Sequence, residues 1–217
     1  MHKTLHTTVQ LNKVEYENIL QIHGTEMLEI LTQDMLNEYE DFYNDPNIIV
    51  NTNSNIKNTI SPYSSFLETN YKELKITSVT SQSTNKMIVV TVSWKAAPKV
   101  KSYDVIGFRL YNTSLKSSVI TMTNVNGSSQ SIAGYKEFSN GYGASIKLPS
   151  DSTSITVQQT FRVSSGGTVY ASYQHAVKNI SLSNSLDFSI SSNGLGNVFM
   201  FNNNNLFDQM SGVSINI

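Results

Sequence analysis

From Leu74 almost to the end of the chain, apolar residues recur at every second position, the period of β-strands whose successive side chains point to opposite faces. Residues 86–94 place Ile88, Val90, Val92 and Trp94 on one face. Met87 and Val89 are apolar as well, which predicts a central strand covered on both sides. Residues 103–111 set Ile106, Phe108 and Leu110 against Tyr103, Val105 and Tyr111. Ile120 and Met122 then alternate with Thr121 and Thr123, and Asn126-Gly127 is a hairpin-turn signal. Tyr142, Ala144, Ile146 and Leu148 follow, ended by Pro149. The alternation continues through Ile155, Val157, Phe161 and Val163, through Val169, Ala171, Tyr173 and Val177, and through Ile180, Leu182, Leu186, Phe188 and Ile190. A short strand over Val198 to Phe201 comes last. About nine or ten strands at this spacing predict an antiparallel β-sandwich or jelly roll. No period of twenty to fifty residues repeats, which argues against propellers and solenoids.

The first part of the chain has the helical period instead. Leu28, Leu31, Met35, Tyr39 and Phe42 recur three and four apart, with Thr25 as N-cap and Pro46 just past the end. A shorter helix covers Val14 to Ile22 and is broken by Gly24. This apolar stripe is expected to dock on the β domain or on a neighbouring copy. The division expected is a helical appendage over 1–45, an Asn/Ser/Thr-rich linker over 46–70 and a β-sandwich domain over 71–217.

In the segment Ser164-Ser165-Gly166-Gly167, parity sharpens the reading. Apolar positions are odd-numbered on both sides, so a three-residue loop, Ser165 to Gly167, would pair Ser164 with Thr168 and Val163 with Val169. That register sets Phe161 against Ala171 and Val157 against His175, turning His175 toward the core.

Composition agrees with strands and turns. Roughly a third of the residues are Ser, Thr or Asn, which strands and turns favour. The charged fraction is 14%, too low to keep a chain unfolded. With no cysteine, disulfides, thiolate metal sites and a Cys nucleophile are ruled out. Met1 is followed by a polar stretch without an apolar run, so the expectation is a chain whose leader was trimmed, or else a cytosolic one. The net charge of −1 conceals an asymmetry. Residues 1–45 carry nine acidic and two basic groups, a charge of −7, and the remainder carries thirteen basic and seven acidic, a charge of +6. The two parts are therefore expected to attract each other or oppositely charged partners.

Candidate chemistry is sparse. His2, His6 and His23 lie in the appendage and His175 alone in the β domain, where a packed structural histidine is expected rather than a catalytic base. There is no G-x-S-x-G elbow, and Ser139-Asn140-Gly141 reads as turn chemistry. His2 with His6, and the group Glu40, Asp41, Asp45 and Asn47, match no zinc or calcium spacing. Neither a metal nor a cofactor is expected. Asp104 and Asp187 fall in strand patterns and would be the carboxylates to test for a glycosidase pair, although a strand acid is ordinarily a solvent-facing residue. Lys95, Lys99 and Lys101, with Pro98, read first as a guarded sheet edge and second as a contact for wall polyanions or acidic sugars. Tyr135, Tyr142 and Tyr170 are the candidates for stacking on a glycan. Nucleic acid is not expected, since no interleaved aromatic motif accompanies the modest basic surplus.

Thr91-Val92-Ser93-Trp94-Lys95 with Ser102-Tyr103-Asp104-Val105-Ile106-Gly107 resembles segments of uncharacterised exported β-sandwich proteins of Gram-positive bacteria. So do Phe138-Ser139-Asn140-Gly141-Tyr142-Gly143 and Gly167-Thr168-Val169-Tyr170-Ala171-Ser172-Tyr173-Gln174-His175-Ala176. The resemblance spans about residues 86–200 and implies export, with secretion or display on the cell surface. It assigns no site residues. The sequence thus reads as an exported, cell-envelope-associated binding or structural protein without catalytic activity, whose partner is a wall polyanion, a glycan or a protein. Two other classes compete: a β-pore-forming protein, the only reading that involves a membrane, in which the Ser/Thr-rich residues 113–134 would insert, and a carbohydrate-binding module or hydrolase.

Overall fold

The computed structural model describes residues 9–54, 72–94, 96–192, 197–208, 210 and 212–217. Four short helices come first: α1 (Lys13–His23), α2 (Thr25–Leu28), α3 (Gln33–Glu38) and α4 (Glu40–Tyr43). The strands are β1 (Ile49–Ser54), β2 (Lys72–Thr80), β3 (Asn85–Trp94), β4 (Tyr103–Tyr111), β5 (Ile120–Val125), β6 (Ser128–Gln130), β7 (Gly134–Phe138), β8 (Gly141–Lys147), β9 (Ile155–Ser164) and β10 (Thr168–Ala176). After the helical turn α5 (Leu182–Ser185) come β11 (Phe188–Ile190), β12 (Phe199–Phe201), β13 (Phe207–Asp208) and β14 (Val213–Asn216). The first sheet runs β1-β2-β3-β9-β5-β6. The second runs β13-β10-β4-β8-β7 with β14 also on β10, and β11-β12 form a separate ribbon. The fold is a mostly β, antiparallel sandwich with an N-terminal helical region.

Between the sheets lies the main core, where Ile88, Val90 and Val157 of the first sheet meet Ile106, Phe108 and Ala171 of the second. Phe161 and Phe108 stack across it with ring centroids 3.7 Å apart. As its double apolar pattern implied, β3 is interior, flanked by β2 and β9. Its second face, Met87 and Val89, joins Val79 and Met122 under the helices, against Ile19, Met27, Met35, Tyr39 and Phe42. Ile120 also packs there. The alternation in β5 that raised the pore-forming alternative is thus occupied in holding the chain's own helices.

Four expectations are corrected. The connection at 164–168 is not a hairpin. β9 pairs with β3 and β5 while β10 pairs with β4, so Phe161 lies opposite Ile88 and Ala171 opposite Phe108. Odd positions of both strands do face one core, but from opposite sheets, an outcome that parity cannot distinguish from direct pairing. The turn carries Gly166 and Gly167 at φ of 88° and 91°. Within the expected linker, Ile49–Ser54 forms an edge strand along β2. Its Asn and Thr side chains are largely in solvent, so no apolar alternation marked it. Residues 55–70 of that linker lie outside the described residues. The helix expected from Thr25 through residue 43 is interrupted, because Thr32 Oγ1 accepts from the Met35 amide and starts a new helix. Leu182–Ser185 is likewise helical rather than strand, started by a reciprocal cap between Ser181 and Asn184. By contrast Asn126-Gly127 closes the β5–β6 hairpin as expected, with both residues at positive φ and Val125 opposite Ser128.

A third apolar layer covers the outer face of the second sheet. Phe188, Ile190, Phe199, Phe201 and Phe207 pack there with Val105 and Ala176. Two glycines make room for it. Gly107 and Gly143 are cross-strand partners on β4 and β8, and a Cβ on Gly143 would lie 2.5 Å from the Phe188 ring. Both belong to the segments that carry the Gram-positive resemblance. Gly143→Ala is expected to lower unfolding stability by about 1–3 kcal/mol through overpacking, measured by urea denaturation.

Candidate functional site

One end of the sandwich concentrates the buried polar chemistry. It is built where β2 begins, β3 ends, β4 begins and β10 meets β13. Asp104 is fully buried. Its carboxylate accepts from His175 Nδ1 at 2.9 Å, from the Tyr173 hydroxyl and from the Ala176 amide at 3.1 Å. Tyr173 in turn accepts from Trp94 Nε1 at 3.2 Å. Burial and the neighbouring Asp104 carboxylate push the Tyr173 phenol well above its ordinary range, so it stays a neutral donor. Beside this group, Lys72 Nζ lies 2.9 Å from Asp208 Oδ2, with their side chains 0% and 6% exposed. The register joins the two clusters, since His175 is the cross-strand partner of Asp208 and Lys72 that of Trp94. The Trp94 ring sits 4.8 Å from the His175 ring and 5.2 Å from Lys72 Nζ.

Sequence reasoning placed His175 correctly as buried and missed what holds it. Val157 was expected opposite, whereas Val157 pairs with Val92 and Thr123 in the other sheet. Asp104, expected to face solvent, is the acceptor at the cluster's centre. Its signal was an acid inside a strand apolar on both faces. Asp187 lies outside the strands, exposed and accepting from Asn202 Nδ2 at 2.6 Å. Lys72 and Asp208 carried no local signal, because the pair is separated by 136 positions. Among the described residues no group of three or more His, Asp or Glu could hold a metal ion.

The expected binding residues do not form one group. Lys95 lies outside the described residues. Lys99 is exposed in the β3–β4 loop, and Lys101 donates to the Ser150 carbonyl at 3.2 Å. Tyr170, on the outer face of the second sheet, is half-buried beneath Arg109, whose guanidinium lies 4.2 Å from its ring. Tyr142 is buried, and burial raises its phenol to about 12. Tyr135 alone of the three presents a broad free surface, 56% exposed, and it stacks on Tyr142 at 5.5 Å. With Phe108 and Phe161 these rings form a row from the core to the β7 edge.

A second polar junction ties the helices to the first sheet. Arg162 on β9 donates to Asp41 Oδ2 at 2.7 Å and lies 3.6 Å from Glu38, which realises the charge complementarity of the two halves. This pairing holds the Asp41 carboxyl below its usual range against the opposing effect of burial. Deeper in, His23 Nδ1 donates to Gln158 Oε1 at 2.8 Å and Nε2 accepts from the Tyr43 hydroxyl at 2.7 Å, while Gln158 Nε2 donates to the His23 carbonyl at 2.7 Å. Near the same junction is an open cleft lined by Glu26, Glu29, Asn124 and Thr156.

Burial lowers the His23 imidazole from 6.5 to about 4, with the Gln158 bond acting weakly the other way. In the unfolded chain His23 takes up a proton near pH 6.5, while in the folded chain it does so only near 4. Its contribution is therefore complete above pH 6.5 and is lost as pH falls toward 4. Wild-type stability is expected to drop by roughly 3 kcal/mol across that window. His23→Gln should flatten that slope, as read from denaturation midpoints at a series of pH values.

No protein-family model and no curated protein matches the chain. Among solved structures it is similar to the pilus backbone protein RrgB of Streptococcus pneumoniae, at 11% identity and a TM-score of 0.32, over 42% of this chain and 25% of that one. It is also similar to the full-length major pilin RrgB of the same organism, at 7% identity and a TM-score of 0.32, over 59% of this chain and 24% of that one. The chain spans about a quarter of the length of these structures.

Proposed function

We propose that the chain is an exported structural domain of the cell surface that holds its shape under stress and performs no catalysis. The observation that carries this reading is the buried Lys72–Asp208 pair, which ties the start of β2 to β13 across 136 positions. A solvent-fed catalytic site needs its acid and base accessible, whereas Asp104, Tyr173 and His175 are fully buried, with Asp104 accepting from both Tyr173 and His175. Their arrangement suits a tie between β4 and β10. Covering both outer sheet faces with the chain's own helices and aromatic ribbon supports the same reading, because it leaves each sheet bounded by packed layers.

Three measurements test it. Antibody labelling of intact cells that express the native gene should reach the protein, and recovery only from the cytosolic fraction would refute export. Turnover of an ester, peptide or glycoside that is abolished by His175→Ala would refute the absence of catalysis. Lys72→Met should lower unfolding stability by at least about 3 kcal/mol, because it leaves Asp208 buried without its partner.

A glycan-binding reading has one observation in its favour, the exposed Tyr135 ring backed by Tyr142. Glycan-array binding lost in Tyr135→Ala, with unchanged folding, would select it over a purely structural role.

A further inference from the structure

We propose that Lys72 and Asp208 condense into an intramolecular amide bond, so that the β domain is closed covalently between its first core strand and β13. The inference rests on the structural reading above and extends it from an ionic tie to a covalent one.

The geometry comes first. Lys72 Nζ is 2.9 Å from Asp208 Oδ2, one bond from the carbon it would attack. Both groups are held by strand pairing rather than by loops: Lys72 opposite Trp94 in the first sheet, Asp208 opposite His175 in the second. Fixing a nucleophile and an electrophile in this way corresponds to effective concentrations on the order of 10⁵–10⁸ M. Trp94 walls the amine on one side. The Asp104 carboxylate fixes the His175 ring beside Asp208 and the Tyr173 hydroxyl beside Trp94.

Energetics favours the product. A buried ion pair bears the desolvation cost of two charges, which the mutual attraction only partly offsets. Condensation removes both charges together and leaves one neutral amide. The reaction balances within the pair. The ammonium passes one proton to the carboxylate, the amine lone pair attacks Cγ, and the C–O bond to the protonated oxygen breaks. A second nitrogen proton leaves with that oxygen as water, and the third remains on the amide nitrogen. Neither an oxidant nor a cofactor is consumed. The site is closed by its aromatic walls, so the released water has little tendency to return.

The bond would connect residues 72 and 208, between which β3 to β12 all lie. Tension applied outside these two residues would then pass through a covalent link, and the strands between them would bear none of it. A structural surface domain gains most from such a link when no disulfide is available, and this chain has no cysteine.

The test is the intact mass of the purified full chain. The expected value is one water below the sequence mass, and proteolysis should yield a branched peptide joining Lys72 to Asp208. Lys72→Met and Asp208→Ala should both show their full sequence masses. Asp208→Asn should restore the same branched peptide with loss of ammonia instead of water. Lys72→Arg keeps the charge and cannot form this amide, so it serves where Lys72→Met fails to fold. A wild-type chain at its full sequence mass overturns the proposal, as does a water deficit that persists in Asp208→Ala. If the wild-type mass is full while Lys72→Met is destabilised, the covalent proposal fails and the structural reading stands on the ion pair.

Discussion

Both sheets of this protein are apolar on both faces, and that constraint governs the rest of its structure. A sandwich with one buried face per sheet needs only its partner. Here Met87 and Val89 on one sheet, and Val105 and Ala176 on the other, also require cover. The chain supplies it from its own two ends. The N-terminal helices cover the first sheet and the aromatic ribbon of β11 and β12 covers the second, giving three apolar layers in sequence: helices against sheet, sheet against sheet, sheet against ribbon. The glycines at 107 and 143 follow from this stacking, since the Phe188 and Phe199 rings approach the backbone of β4 and β8 too closely for a side chain.

Stacking layers this deeply also buries polar groups, and the chain brings several of them together as hydrogen-bonded partners. Gln158 exchanges two hydrogen bonds with His23, Asn18 donates to the carbonyls of Tyr43 and Asp45, and Asp104 gathers three donors. Each such group would be costly alone in a dry interior. Because their partners come from distant parts of the chain, these pairs also fix how the layers sit on one another. Gln158 holds α1 to β9, and Asp104 holds β4 to the end of β10. The Lys72–Asp208 pair belongs to this scheme, with the difference that both partners are charged and the link spans the two sheets.

The electrostatic asymmetry of the sequence has a local meaning in the fold. The acidic N-terminal part meets the β domain through Arg162, which contacts Asp41 and Glu38 while its guanidinium covers the Tyr39 and Phe42 rings. One arginine thus serves both the charge and the apolar stripe of the helices. The basic loop around Lys99 lies elsewhere, and Tyr135 stands on the β7 edge, so the residues singled out for binding are spread over separate parts of the surface.

The period-two pattern sufficed by itself to give the antiparallel sandwich, the interior place of β3, the Asn126-Gly127 hairpin and the burial of His175, because side-chain alternation and positive-φ turn residues are local properties. The three-four period likewise gave an apolar helical region bound to dock. Tertiary structure alone decided which strands pair. Parity put Phe161 and Ala171 on one face, and only the fold could show that they meet across the core rather than side by side. The strand Ile49–Ser54 left no apolar alternation, since after Ile49 and Val50 it runs on as an edge of Asn, Thr and Ser stabilised by backbone bonds that any sequence can make. The chemistry of the buried end was the least legible. Asp104 with His175, and Lys72 with Asp208, become partners only when β2, β4, β10 and β13 converge, and no spacing along the chain encodes a contact made across it.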